Sequence, residues 1–201
     1  MSFAEDAKRV AERLTGIGRP SDGELKRLLR TVEPQTFSFK DDGETPNNPA
    51  LPMLYYPNAV ALPSDFDPAA VLEKIFDGNG WSNGIFDFLH FHTQVHEVLG
   101  IARGHATVRF GGGTGCTVTV KAGDVVVLPA GTGHQRVAPA EDLLVVGAYP
   151  PEGRYDQQEP GNLDHDAALA RIRSVAVPGT DPVYGPNGPL RRLWTQNGAA
   201  S

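Results

Sequence analysis

The sequence predicts an all-β sandwich or barrel with a helical extension before it and a tail after it. Two observations lead there. From residue 35 to about 150 the chain is a series of short β-prone runs separated by Gly, Pro, Asn and Asp, such as "TFSF", "MLYY", "ATVRF", "TVTV" and "LLVVGAY". A single segment in that span, "DPAAVLEKIFD", has the composition of a helix, so the strand–helix alternation of a parallel α/β sheet is missing.

The elements follow in order. Phe3, Ala7, Val10 and Leu14 recur at helical spacing and predict an amphipathic helix at the start, which "GIGRPSDG" breaks. Ser21 followed by Glu24 resembles a capping box opening a second helix, with Leu25, Leu28, Leu29 and Val32 along one side. After Pro34 the β-prone runs begin, including "GIFDFLHF", "EVLGIA" and "DVVVLP". The glycine-rich "GGGTG" lacks the Lys-Ser/Thr ending of a phosphate loop and precedes a strand, so it reads as a hairpin turn, with Cys116 a small packing residue just beyond it. Past "AYPPEG" come a polar linker, a short helix in "DHDAALARIRSV", and "PGTDPVYGPNGPLRRLW". Turn formers crowd this last stretch, which predicts irregular chain wrapping the body, anchored by Tyr184 and Trp194. The division is then a helical extension over 1–33 that caps the barrel, a barrel over 34–150, and a linker, short helix and wrapping tail over 151–201.

Composition narrows the function classes. The chain has 201 residues, 40% of them apolar, which suits one domain with appendages. A formal charge of −6 with no basic stretch argues against a nucleic-acid partner. The longest apolar runs fall far short of the ~20 residues that span a bilayer. Acids near the N-terminus replace the basic, then apolar, pattern of a secretory signal, and a single cysteine allows no internal disulfide, so a cytoplasmic address is expected.

The stretch "HFHTQVHE", residues 90–97, concentrates three of the chain's six histidines. Side chains alternate along a strand, so Phe86, Phe88, His90 and His92 share one face, aromatic until it ends in two imidazoles. Such a face belongs in an interior, where a divalent cation can use the lone pairs. In "EVLGIARG", Glu97 shares a side with Leu99 and Ile101, while His96 shares the other with Val98, Gly100 and Ala102. The bulkier apolar side turns Glu97 inward and favours it as a fourth group, with His96 the alternative ligand. Much later, "GDVVVLPAGTGHQRV" runs a strand into a rigid turn that fixes the approach of His134.

Gly84, His90, His92, Glu97 and Gly104 stand at the spacing of the first cupin motif, and Gly123, Pro129, Gly131 and His134 at that of the second. Where the pattern continues with Asn, this chain has Ala138, at a position that ligates no metal in the family. The sequence thus resembles the cupin superfamily, and the flanks "DDGETPNNPALP" and "DPVYGPNGPL" resemble its bacterial YjlB-like group. The resemblance implies a small jelly-roll barrel, commonly a homodimer, in which His90, His92, Glu97 and His134 converge on one divalent metal. It also supplies the placement of His134, which alternation alone does not.

Three neutral imidazoles and one carboxylate suit Fe, Mn, Ni, Co, Zn or Cu without choosing among them. Phe86, Phe88, Leu99 and Ile101 are expected to line a narrow apolar pocket for a small anionic or chelating ligand. Tyr56, Gln135, Arg136 and Tyr149 are candidate polar contacts whose first reading is ordinary hydrogen bonding, and His105 and His165 are expected to face solvent. The leading expectation is a metal-dependent enzyme on a small molecule, with dioxygenase-like oxidoreduction ahead of isomerisation. A non-catalytic binding or sensing protein is the second reading. A metal-free isomerase with His90 and a carboxylate as base and acid is the third.

Overall fold

Helix α1, Asp22–Leu28, begins where the capping box places it: the Glu24 amide donates to Ser21 Oγ at 3.3 Å and the Ser21 amide to Glu24 Oε2 at 2.8 Å. It stops at Leu28, sooner than the apolar stripe suggests, because Leu29 is already extended and bridges Val60. Leu25, Leu28, Leu29 and Val32 nonetheless all pack on one hydrophobic core. The structure, a computed structural model, describes residues 18–79, 82–83, 89–138, 142–161 and 164–198. The helix expected before residue 16, and Gly84, Phe86 and Phe88, lie outside the described residues.

The strands are β1 Gln35–Phe37, β2 Met53–Tyr56, β3 Ser82–Asn83, β4 Glu97–Arg103, β5 His105–Phe110, β6 Cys116–Lys121, β7 Val125–Leu128, β8 His134–Arg136 and β9 Leu144–Tyr149. They form a six-stranded sheet ordered β1-β2-β7-β4-β9-β3 and a three-stranded sheet ordered β6-β5-β8, antiparallel throughout. "GGGTG" is indeed the β5–β6 connection, with a short 3₁₀ turn at Gly112–Thr114. The two sheets close on a shared core as the small jelly-roll barrel that the motifs implied.

The large sheet is covered on both faces, which explains its uninterrupted apolar runs. In β7, Val126 and Leu128 join Met53, Tyr55, Ile101, Ala106 and Phe110 inside the barrel. Val125 and Val127 face the other way, with Leu54, Tyr56 and Val98, against helix α2, Pro68–Gly78, and Trp194. A Cβ on Gly100 would stand 2.8 Å from the tip of Phe76, so the glycine lets α2 lie close on β4. The small sheet has one wet face: in β6, exposed Thr117, Thr119 and Lys121 alternate with more buried neighbours.

The tail departs from expectation. Beside the anticipated helix α3, His165–Ser174, residues Pro189–Gly198 form a second helix, α4, in place of irregular chain. Proline suits a first helical position, and Leu190, Leu193 and Trp194 make an i, i+3, i+4 stripe that the preceding turn formers masked. The expected anchors hold: Trp194 Nε1 donates to the Pro52 carbonyl at 2.9 Å and Tyr184 Oη to the Arg30 carbonyl at 2.5 Å. Between them, buried Asp181 accepts from Tyr56 Oη at 2.7 Å and from the amides of Val183, Tyr184 and Leu190. Among the described residues no helix is long and apolar enough to cross a membrane.

Candidate metal centre

A continuous strand was expected to deliver His90 and His92. The described part of that segment instead makes isolated bridges, His90 to His134 and Phe91 to Gln158. The first bridge brings the two motifs together. The His90 amide donates to the His134 carbonyl at 3.3 Å and the His134 amide returns a 3.0 Å bond, the closed pair of an antiparallel ladder, which sets both side chains on one face. The His92 carbonyl accepts from the Gly131 amide at 2.6 Å. Gly131 sits at φ +92°, and a Cβ there would stand 2.6 Å from the Asn47 carbonyl oxygen. The loop is gripped from behind by two buried asparagines: Asn47 Oδ1 accepts from the Gly133 amide, and Asn48 Nδ2 donates to the Ala130 carbonyl.

His90, His92 and His134 are all buried, each offering a ring nitrogen within 4.8 Å of the others, a cluster that could hold a metal ion. Glu97, 2% exposed at the start of β4, aims Oε2 at two of them, 3.2 Å from His134 Nε2 and 3.5 Å from His92 Nε2. Alternation from Glu97 to Leu99 and Ile101 thus points inward as the sequence suggests.

The tautomers sharpen this geometry. His92 Nδ1 lies against the Asp156 carbonyl and His134 Nδ1 is 3.2 Å from the Thr132 carbonyl. A carbonyl only accepts, so each Nδ1 carries the proton and each neutral ring turns its Nε2 lone pair toward Glu97. Lone pairs then face a carboxylate oxygen, an arrangement that asks for a cation. His92 Nε2 and Glu97 Oε2 are buried without a hydrogen-bond partner, despite their ion-pair proximity. Without an ion the other way to match these atoms is a second proton on Nε2: burial opposes a charge on Glu97, but His134 and His92 protonated there would outweigh it and hold the carboxyl well below its ordinary range. Burial likewise opposes protonation of His92, and Glu97 reverses the sign, leaving that imidazole raised.

Side chains around the cluster orient it. Tyr149 Oη donates to Glu97 Oε1 at 3.0 Å, freeing Oε2 to face the histidines. Replacing Tyr149 with Phe is expected to weaken metal retention about tenfold, as for other outer-shell partners, read as a shift in a chelator competition curve. Asp156 accepts from the Thr93 and Gln94 amides and from Thr93 Oγ1, which pins the backbone after His92. Tyr155 lays its ring 5.3 Å from that of His92 and 5.4 Å from that of Tyr149. The sequence reading placed Asp156 and Tyr155 in a polar linker, since no local pattern reveals a loop that folds back over a site.

His96, the alternative ligand, stands apart. Its Nδ1 accepts from the Ala130 amide at 3.0 Å, its Nε2 faces the Ala176 carbonyl at 3.2 Å, and its ring packs 4.7 Å from that of Trp194. With both nitrogens engaged it has no lone pair to give. Full burial lowers its pKa from 6.5 to about 4. The unfolded chain therefore binds a proton between those values that the folded chain refuses, so stability is present above pH 6.5 and lost as pH falls toward 4. The loss should be on the order of 3 kcal/mol, seen in urea titrations at successive pH values. His96→Asn should flatten that dependence, and an unchanged slope would sink the assignment.

Next to the cluster lies a cavity of about 420 Å³, bounded by Glu97 and His134 and walled by Leu99, Ile101 and Val126 among others. Leu99 and Ile101 line it together with Gln135 and Arg136. Tyr56 does not reach it, being held by Asp181 in the outer core. His105 is exposed, and the partly exposed His165 meets Asp41 at 2.7 Å.

No protein-family model matches the chain. Structural likeness is found to oxalate decarboxylases from Lactobacillus farciminis (16% identity, TM-score 0.29) and Bacillus subtilis (15%, 0.31), covering 68% of this chain in each case. The chain spans only about a third of those proteins, 34% and 31% respectively. A cupin 2 domain-containing protein of Halorhodospira halophila matches over 75% of this chain and 95% of its own, at 17% identity and TM-score 0.29. In sequence, the protein YjlB of Bacillus subtilis (strain 168) is 36% identical over 168 residues, 82% of this chain and 98% of its own length. With that identity over most of both chains, and His90, His92 and His134 brought together on a jelly-roll barrel, the chain belongs to the YjlB family of cupins.

Proposed function

We propose that this protein is a metal-dependent enzyme acting on a small molecule, with dioxygenase-like oxidoreduction ahead of isomerisation, and that His90, His92, Glu97 and His134 hold the ion. One observation carries the reading: buried His92 Nε2 and Glu97 Oε2 face each other with no hydrogen-bond partner, inside a ring of three imidazoles. Leaving such groups unmatched costs several kcal/mol at a dry site, and a cation between them removes that cost. The absence of a cysteine from the set separates it from a closed structural zinc site.

A divalent ion bound here would supply Lewis acidity or a position for oxygen. The chain's own part is distinct. Glu97 offsets one unit of positive charge, Tyr149 sets the carboxylate's direction, and the Asp156 and Thr132 carbonyls hold the His92 and His134 tautomers. The apolar walls keep water from the ligand's body, which strengthens every electrostatic contact at its head.

Elemental analysis of the purified full-length protein is expected to find about one transition metal per chain, and oxygen uptake should appear in a screen of enols, diketones and small acids. A metal-free preparation that stays folded and turns over substrate would favour the metal-free isomerase instead. Tight ligand capture without any turnover would favour the binding protein.

A further inference from the structure

Resting on the metal reading above, we propose that the ligand is a monoanionic acid with an apolar body, its carboxylate at the histidine cluster and its hydrocarbon along the barrel. The cavity, about 420 Å³, lies within the roughly 300–1,000 Å³ that small-molecule pockets occupy. Its walls are built from Leu99, Ile101, Val108, Phe110, Val120 and Val126, none of which offers a polar side-chain atom. A sugar would leave its hydroxyls unmatched against such walls, whereas methylenes gain by being there.

Polar groups gather instead at the edges. Strand pairing sets Phe110 opposite His134 and Val108 opposite Arg136, so Arg136 follows His134 at the next inward-facing position, roughly 7 Å along β8. Arg136, which is exposed, and Gln135 line the cavity beyond those apolar walls. Inside, three neutral imidazoles and the Glu97 carboxylate would leave a divalent ion with one uncompensated positive charge. One carboxylate meets that need. A short dianion such as oxalate would bring a second charge that an ion already compensated by Glu97 does not balance, against walls with no polar side-chain atom.

The test is calorimetric titration of the metal-reconstituted full-length protein with acetate, butyrate, hexanoate and octanoate, beside hexanol and oxalate. Affinity is expected to rise about fourfold per added methylene until the cavity is full. Hexanol and oxalate should each bind at least about tenfold more weakly than hexanoate, since each lacks one half of the match. Val108→Phe, which fills part of the cavity, should move the end of the rising series to a shorter acid while metal content stays unchanged.

A flat series, or oxalate binding as tightly as hexanoate, overturns the proposal. Hexanol equal to hexanoate overturns the assignment of the head group. Metal content, measured separately, keeps the two readings apart: protein that holds no metal fails the metal reading, and protein that holds metal with a flat series fails only this one.

Discussion

Glu97→Gln is expected to cost more than about 100-fold in metal affinity, beyond the 10- to 100-fold typical of outer-shell changes. The substitution nearly keeps the side chain's shape and leaves Tyr149 Oη a partner, so lost charge accounts for the effect. An ion among neutral imidazoles at a site where Glu97 and the histidines are 2–6% exposed would carry its full double charge away from water. His96→Ala should behave oppositely, keeping the metal while losing about 2–4 kcal/mol of stability, because it orphans the Ala130 amide and empties space beneath Trp194. Competition against a chromogenic chelator, alongside urea unfolding, measures both quantities. Greater metal loss in His96→Ala than in Glu97→Gln would reject the ligand set.

Asp181→Ala should destabilise the fold by about 3–5 kcal/mol, or roughly 10 °C or more in Tm for a chain this long. The carboxylate is fully buried and ties together three parts of the chain: Tyr56 on β2, the turn at Val183 and Tyr184, and the first turn of α4 at Leu190. Its removal leaves a phenol and three amides without acceptors in the core. Burial and the Asp181 carboxylate both raise the Tyr56 phenol far above its ordinary value, so Tyr56 remains a donor throughout the accessible pH range. The consequence is local before it is global: α4 should loosen first, exposing Trp194, and a red-shifted Trp emission should precede loss of far-UV signal. A change below about 1 kcal/mol would mean that the tail is not anchored through this residue.

Much of the fold was legible because barrel strands obey short-range rules. "MLYY", "VVVL" and "TVTV" are β-prone runs that the structure makes strands β2, β7 and β6, and Ser21 with Glu24 marks a helix start from three residues' separation. Inward Glu97 followed from the same alternation. Where local rules compete, the sequence is less legible: α4 hides behind a run of turn formers, and His90 and Phe91 make single bridges, while the aromatic stretch before them lies outside the described residues.

Residue types and spacings alone therefore determined the β class, the inward face of β4 and the pairing of His90 with His92. Motif spacing named His134, but only the tertiary structure seats it beside the others, through backbone bonds between segments some forty residues apart. The choice between His96 and Glu97 was likewise a tertiary decision, made by the Ala130 amide, the Ala176 carbonyl and the ring of Trp194. Asp156 and Tyr149 owe their roles to the same level of organisation. Side-chain direction is a property of a few adjacent residues, whereas a hydrogen-bond partner is set by whichever distant segment the packed core brings within 3 Å.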